Sequence, residues 1–245
     1  MHELVELGKA RYQAAKDTKA WLAPTSNEEA NRYYNDIDSY PHIFVLGCLM
    51  DKQIKAERAW EIPYNLCRDF GCFDMRGLSE IPAEEIEEWF ARNRPHRYNA
   101  EMARVFYEAV QRIHGEYGDD ASAIWSGCPS SAEVVYRFLQ FRGAGIKIAT
   151  MAANILARDY HVDLKDYYSI DISPDIQVKR IFHRLGLVPN EAKTEMVIYK
   201  ARELNPEFPG VIDLACWEIG RKWCHPNNPN CGECPLSGCC RFSFR

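Results

Sequence analysis

The sequence lacks any long apolar run, and no uninterrupted stretch approaches the roughly 20 residues of a membrane-spanning helix. Its first twenty residues mix charged with apolar side chains, so they contain no apolar core of a secretory signal peptide. Low-complexity tracts and internal repeats of fixed length are missing as well. We therefore expect a cytoplasmic globular protein with no membrane partner. Its 245 residues suffice for two lobes.

Alternation of apolar and polar residues with period two is almost absent, which argues against β-strands and predicts an all-α fold. Apolar spacing and helix-capping residues instead indicate a series of helices. We expect Asn99 to cap one helix, and Ser130 with Glu133 to form a capping box at the start of another. The predicted helices span residues 1–20, 41–60, 63–70, from 82, from 99 to about 115, 131–142, 146–157, 174–186, 190–204 and 209–223.

An excess of positive charge is also missing, because 30 basic residues face 35 acidic ones and the net charge is -5. This argues against a protein that coats nucleic acid by bulk attraction. The charge is uneven, however, since residues 141–245 hold 14 basic and 12 acidic side chains. A local basic face is compatible with this distribution, as is an ordinary solvated surface.

Four of the ten cysteines follow one another near the end of the chain with the spacing C-x6-C-x2-C-x5-C, at Cys224, Cys231, Cys234 and Cys240. Turn-forming residues lie between them, so the segment can fold around one centre. Four thiolates suit zinc or an iron-sulfur cluster, and two disulfides are a further alternative. A single close pair, rather than two, favours a 4Fe-4S cluster. Cys239 is adjacent to the last of the four.

Two glycines, Gly143 and Gly145, separate two predicted helices. Exposed backbone N–H groups at a helix start attract anions, so the turn is a candidate phosphate site. A dinucleotide-binding turn needs a preceding strand, and a phosphate-loop NTPase needs Ser or Thr after Lys147. Neither requirement is met. A helix-hairpin-helix that binds a DNA phosphate and a plain interhelical turn remain.

The hairpin and the cysteine spacing together resemble the endonuclease III family of DNA glycosylases. The resemblance rests on Phe141 to Lys147 (FRGAGIK), Pro174 to Ile181 (PDIQVKRI), Arg184 to Leu187 (RLGL), Gly220-Arg221 and the four cysteines, with weaker similarity at Leu49 to Gln53 and Tyr98 to Ala100. It implies a two-lobed all-α fold. The expected domains are a helical barrel of residues 40–168 with a helix-hairpin-helix at 131–157, and a cluster domain of residues 1–39 and 169–245 with its loop at 224–240.

The resemblance also implies roles for individual residues. Lys147 would be the amine nucleophile and Asp175 the essential carboxylate, facing each other across the cleft between the lobes, while Gln53 would fill the gap left by a flipped nucleotide. The remaining implied DNA-binding residues are Arg142, Gly143, Gly145, Arg221 and Lys222. Local roles are the alternatives: phosphate contact for Lys147, helix capping for Asp175 and a surface position for Gln53. Asp171 is a second acidic candidate.

The implied function is base-excision repair by a monomeric glycosylase that removes a damaged base from double-stranded DNA and acts as an abasic-site lyase. Such a protein would be associated with the nucleoid in a prokaryote. A non-catalytic iron-sulfur protein that binds DNA damage or DNA structure is one alternative, and an unrelated zinc protein is another. Between Ala157 and Ser173 the chain is longer than the family pattern, and the insertion's aromatic residues are candidates either for base contact or for filling the interface between the lobes.

Overall fold

A computed structural model describes residues 2–17 and 22–242, and the elements in these ranges are all helical. This confirms the predicted all-α class. Residues 1 and 18–20 of the predicted first helix lie outside the described ranges. The α-helices are α1 His2–Asp17, α2 Glu28–Asn35, α3 Pro41–Met50, α4 Ala56–Phe70, α5 Met75–Glu80, α6 Ala83–Asn93, α7 Asn99–Tyr117, α8 Ser131–Leu139, α9 Ile146–Arg158, α10 Ile176–Arg184, α11 Thr194–Leu204 and α12 Asp213–Lys222. Within the described ranges, none of the helices is both long and apolar enough to cross a membrane.

The described residues fall into two compact units. The first contains those of Met1–Ala20, Ser130–Val135 and Ala153–Arg245, and the second those of Trp21–Pro129 and Tyr136–Ala152. The chain therefore crosses between units inside α8 and again inside α9. These bounds differ from the barrel and cluster domains expected from the sequence, whose division stays a prediction.

The second unit is built around α3, whose ten residues are all buried. It packs against α4 and α7, and α6 packs against α7. The ring of Phe44 lies 6.0 Å from Trp60, 5.9 Å from Trp125 and 6.4 Å from Phe138. Large aromatic side chains bury much apolar surface, so this cluster fixes α3 firmly in its unit.

The prediction of one helix over residues 41–60 is wrong, because α3 ends at Met50 and α4 begins at Ala56. The intervening loop contains Gln53 with φ 57°, a left-handed conformation that no α-helix accommodates. The expected helix start at Pro63 is wrong as well, since this proline lies inside α4. The Tyr34 hydroxyl bonds to the carbonyl of Trp60 at 2.5 Å in the turn before the proline. Tertiary packing thus keeps helical a segment that proline would disfavour.

Two predicted helix caps have different outcomes. Ser130 Oγ accepts a hydrogen bond from the Glu133 amide at 3.2 Å, as half of the expected capping box. Asn99, in contrast, is the first residue of α7 rather than its cap, and its side-chain oxygen accepts from the His96 amide at 3.0 Å. Its side chain stabilises the preceding turn instead of the helix.

In the first unit α12 packs against α10 and α1, and α1 also contacts the short 3-10 helix Pro209–Ile212. The close approach requires glycine at position 8, since a Cβ there would lie 2.8 Å from the Val211 carbonyl oxygen. An aromatic cluster adjoins this contact, with Phe208 5.1 Å from Tyr12 and 5.0 Å from Tyr167.

The insertion after α9 packs within the first unit. Tyr167 belongs to the aromatic cluster, and Asp166 accepts a hydrogen bond from the buried Ser131 hydroxyl. Tyr168 is 61% exposed. Tyr167 thus packs inside the first unit, while Tyr168 lies on its surface.

Candidate active site and cysteine loop

The hairpin predicted from the glycines is present, with α8 and α9 joined by residues 140–145. Gly143 has φ 82°, and a Cβ there would lie 3.1 Å from Val105 Cγ2. Glycine is needed at this position for both reasons. Gly145 is different, because it is exposed and a Cβ would meet nothing within 4 Å. Open space in front of a helix start leaves room for an approaching anion.

Lys147 is the second residue of α9, and its side chain is 39% exposed. Its Nζ lies 3.3 Å from Oδ2 of Asp51, the residue that directly follows α3. The Asp51 side chain is only 11% exposed. Both residues belong to the second unit. Asp51 was not predicted as a neighbour of Lys147, because the predicted continuous helix over 41–60 left out the helix end at which Asp51 lies.

Asp175 caps α10, and its Oδ1 accepts hydrogen bonds from the amides of Gln177 and Val178, both at 2.8 Å. A side-chain oxygen at this position satisfies two of the amides that a helix start leaves unpaired. The capping role considered from the sequence is therefore present. A carboxylate has a second oxygen, so capping through Oδ1 does not exhaust its capacity to accept bonds.

Asp171 is tied to Arg202 by two parallel hydrogen bonds of 2.7 and 2.8 Å. Its side chain is only 4% exposed, whereas the Arg202 side chain is 41% exposed. The carboxylate raises the pKa of Arg202 through these hydrogen bonds, although burial acts in the opposite direction. Both carboxylate oxygens are committed to the ion pair, which makes Asp171 the weaker candidate for catalysis.

Gln53 is exposed in the loop between α3 and α4. Its Oε1 accepts a hydrogen bond from the Tyr98 hydroxyl at 2.8 Å. A left-handed backbone at a residue other than glycine is uncommon and stores strain, which is found most often at functional sites. The side chain is thus held in place on the surface.

The basic residues expected to bind DNA have partners within their own units. Arg142 bonds to Glu108 at 2.7 Å, and Lys222 bonds to Glu218 at 2.6 Å. The guanidinium of Arg221 lies 4.6 Å from the ring centre of Trp217. The Arg142–Glu108 pair is exposed on both sides, and exposed ion pairs contribute little, so Arg142 can exchange Glu108 for a phosphate at small cost.

The cysteine loop encloses a small cavity lined by all four predicted ligands, Cys224, Cys231, Cys234 and Cys240, together with Arg184, Trp223, Pro229, Ser237 and Phe242. Cys239 is not among the residues that line it, and its thiol lies 3.4 Å from the carbonyl oxygen of Leu236. Burial raises the pKa of Cys234, and the neighbouring thiolates raise it further. A positively charged metal centre bound to these sulfurs would stabilise the thiolates and so counteract both effects on the pKa.

Two arginines of α10 hold this loop. Arg184 donates to Cys224 Sγ at 3.2 Å and to the His225 carbonyl at 2.7 Å. Arg180 donates to the Cys224 carbonyl at 2.8 Å. These roles were not predicted from the sequence, although the four-residue spacing of the two arginines on one helix face is a pattern that indicates a shared partner.

The donor set fits an iron-sulfur cluster in its chemistry, because soft thiolates are the ligands that such clusters take. Among residues 2–17 and 22–242, no group of three His, Cys, Asp or Glu side chains is placed to hold a metal ion. A four-iron cluster is wider than a single ion, so its thiolates stand further apart than those of a mononuclear site. The shared cavity therefore remains compatible with the cluster.

The arrangement of helices matches solved structures of DNA-bound endonuclease III. The chain aligns with endonuclease III in a non-covalent DNA complex with a TM-score of 0.62 and 16% identity, covering 89% of this chain and 92% of that chain. The chain has the endonuclease III fold. A trapped covalent intermediate of endonuclease III with DNA, an estranged-adenine complex, matches at 0.61 and 16% identity over 88% and 93% of the two chains. A thermostable thymine-DNA glycosylase matches at 0.60 and 14% identity over 84% and 85%.

A sequence comparison with curated proteins also matches this chain to an endonuclease III. The endonuclease III of Thermotoga maritima is 35% identical over 74 residues, which cover 30% of this chain and 35% of that protein. The match thus spans about a third of the relative's length. No family model matches the chain. The resemblance inferred from the hairpin and the cysteines is confirmed by this relative and by the endonuclease III fold.

Proposed function

We propose that this protein is a DNA glycosylase of base-excision repair that also cleaves abasic sites through a lysine Schiff base. The observation that carries the proposal is the position of Lys147. Its amine is accessible at the first turn of the helix that follows the glycine hairpin, on an endonuclease III fold. Lysine amines in such settings attack electrophilic carbon once they have lost a proton.

The reaction begins when the damaged nucleotide is extruded from the duplex. The Lys147 amine then attacks C1′ of the sugar, and the bond from C1′ to the base breaks with its electron pair leaving on the base. Asp175 stabilises the positive charge that develops on the sugar. After the sugar ring opens, the lysine and C1′ form a Schiff base, and elimination of the 3′ phosphate nicks the strand.

Gly143 and Gly145 would present the amides at the start of α9 to a DNA phosphate, and Arg142 would add a positive charge beside them. Gln53 would occupy the space left by the extruded nucleotide. Arg221 and Lys222 would contact phosphates from the last turn of α12. The partner is double-stranded DNA with a damaged base or an abasic site, and the protein would act as a monomer.

The four cysteines of the loop would hold a 4Fe-4S cluster. When bound, the cluster would connect the segments of the loop and so supply the compactness that a short apolar core cannot. Arg184 already contacts one of the ligand sulfurs, and its positive charge offsets the charge of the thiolates.

Borohydride trapping on a duplex with a single abasic site tests the proposal without a choice of damaged base. The parent protein should form a covalent band, and Lys147→Ala should form none. Lys200→Ala is the matched control, since this lysine lies on α11 and is also paired with a carboxylate, that of Glu203 on α11. Its band should equal that of the parent.

A parent protein that forms no band would refute the Schiff-base step. The second candidate would then be a non-catalytic protein that binds DNA damage or DNA structure. Within the second unit Lys147 is paired with a carboxylate, which is compatible with a resting, charged lysine that only contacts phosphate. Binding of lesion DNA by the parent without products, retained by Lys147→Ala apart from the loss of about one phosphate contact, would support that candidate.

A further inference from the structure

Asp51 and Lys147 carry charges that their own helices disfavour. Asp51 stands at the carboxyl end of α3, where the helix dipole is negative, and Lys147 stands in the first turn of α9, where it is positive. Each charge would be more stable at the opposite end of its helix. Their 3.3 Å contact offsets both penalties. Local preferences are overridden in this way chiefly at functional sites.

The accessibility of the two groups is unequal. The Asp51 carboxylate lies in the interior of its unit, and the Lys147 amine is open to solvent. The backbone of Asp51 is held in place because its amide donates a hydrogen bond to the Cys48 carbonyl at 3.2 Å, at the end of a fully buried helix. A ligand that approaches from solvent therefore reaches the Lys147 amine first. The Asp51 carboxylate lies on the inner side of the amine, in contact with the protons on Nζ.

Titratable groups near the pair lie on α3, in the loop after it, in the loop before α7 and on α7 itself. Cys48 of α3 is fully buried, and burial together with the Asp51 carboxylate raises the pKa of its thiol. His96 is buried, and this burial lowers its pKa. Lys52 is bonded to Glu101 of α7 at 2.8 Å. The thiol and the imidazole are thus kept neutral, so Asp51 is the anion in contact with Lys147.

We propose that Asp51 is the catalytic base that accepts the proton Lys147 must lose in Schiff-base formation. This inference rests on the proposed lyase function. Before Nζ bonds to C1′, one proton of the Lys147 ammonium passes to Oδ2 of Asp51. The carboxylate becomes a carboxylic acid, and the nitrogen regains the electron pair with which it attacks C1′. The proton returns to water when the product leaves.

The test compares Asp51→Asn with the parent in single-turnover borohydride trapping on abasic-site DNA between pH 6 and 10. Positioned bases commonly contribute about 100-fold or more, so we expect a loss of at least about tenfold at pH 7. The deficit should shrink as the pH approaches the ordinary lysine pKa of about 10.4, because solvent then removes the proton. Glu101→Gln is the matched control, as it removes a carboxylate from another lysine of the same unit, and should trap at the parent rate.

Asp51→Glu keeps the carboxylate, and we expect it to trap faster than the asparagine variant. Circular dichroism melting shows which variants are folded. If the asparagine variant does not fold, the glutamate variant is compared with the parent, whose trapping rate it should approach, and a loss of about tenfold or more would overturn the proposal. Trapping by Asp51→Asn at or above the parent rate would overturn the proposal, because Asp51 would then only hold the lysine charged. Equal losses in both variants would overturn it too. A parent that forms no band at any pH would instead refute the lyase function itself.

Discussion

Replacing Asp175 by asparagine or by alanine separates its two candidate roles. Its Oδ1 accepts hydrogen bonds of 2.8 Å from the amides of Gln177 and Val178. Asparagine caps a helix about as well as aspartate, whereas alanine leaves both amides without their side-chain partner. Asparagine loses only the charge interaction with the helix dipole, which is about 0.3–1 kcal/mol. Alanine should cost about 1–2 kcal/mol.

These energies translate into measurable melting shifts. For a chain of 150–250 residues, 1 kcal/mol lowers Tm by about 2–4 °C, so alanine should lower it by about 2–8 °C and asparagine by at most about 4 °C. Base excision should fall by about 100-fold or more in both variants, since both lack the carboxylate. The assays are circular dichroism melting and single-turnover base release from a panel of lesion duplexes.

The outcomes discriminate sharply because the two roles predict different orders of the variants. If Asp175 only caps its helix, the asparagine variant should release the base at the parent rate and differ from the parent in Tm by at most about 4 °C. Full base release by this variant would therefore refute the catalytic assignment. An alanine variant with an unchanged Tm would instead refute the energetic value given to the cap.

Three further predictions concern stability. Arg202→Met leaves the buried Asp171 carboxylate without its ion-pair partner and should lower the free energy of unfolding, measured in urea, by about 2–3 kcal/mol. This is less than the roughly 3–5 kcal/mol lost from fully buried pairs, because the Arg202 side chain is 41% exposed. An unchanged free energy of unfolding would contradict the ion-pair argument. Gly143→Ala should lower the free energy of unfolding by about 1–2 kcal/mol, because the φ of 82° disfavours alanine. Gly145→Ala should fold normally but bind duplex DNA more weakly. Equal Tm values for the two variants would contradict this difference. Burial lowers the pKa of His42 to about 4, so the stability that comes from its neutral form is fully present above about pH 6.5. About 3 kcal/mol of the free energy of unfolding is lost as the pH falls to 4. In pH-dependent melts, His42→Gln should reduce this dependence of stability on pH.

The hairpin illustrates what local sequence predicts well. Apolar periodicity indicated helices before and after residues 143–145, and the structure has α8 and α9 there. The positive φ of Gly143 is a local backbone property that glycine signals directly. The pattern of four cysteines likewise needs only their spacing, because the turn residues between them let a short loop close on one cavity.

The loop between α3 and α4 shows where the sequence was insufficient. Residues 51–55 are mostly polar but include no glycine or proline, so no helix-breaking residue marked the helix end. Pro63, which does carry a strong local signal, lies inside α4 because packing of the second unit outweighs its preference. Propensity is a weak prior when a segment is deeply buried.

The sequence by itself determined the all-α class, the hairpin, the position of Lys147 at a helix start and the cysteine spacing. All of these depend on neighbours within a few residues, where periodicity and turn chemistry act. Only the tertiary structure decided the partners: Asp51 for Lys147, 96 positions away, and Arg184 for Cys224, 40 positions away. Such contacts depend on how buried helices pack, and packing is set by the shapes of many side chains together rather than by any local pattern.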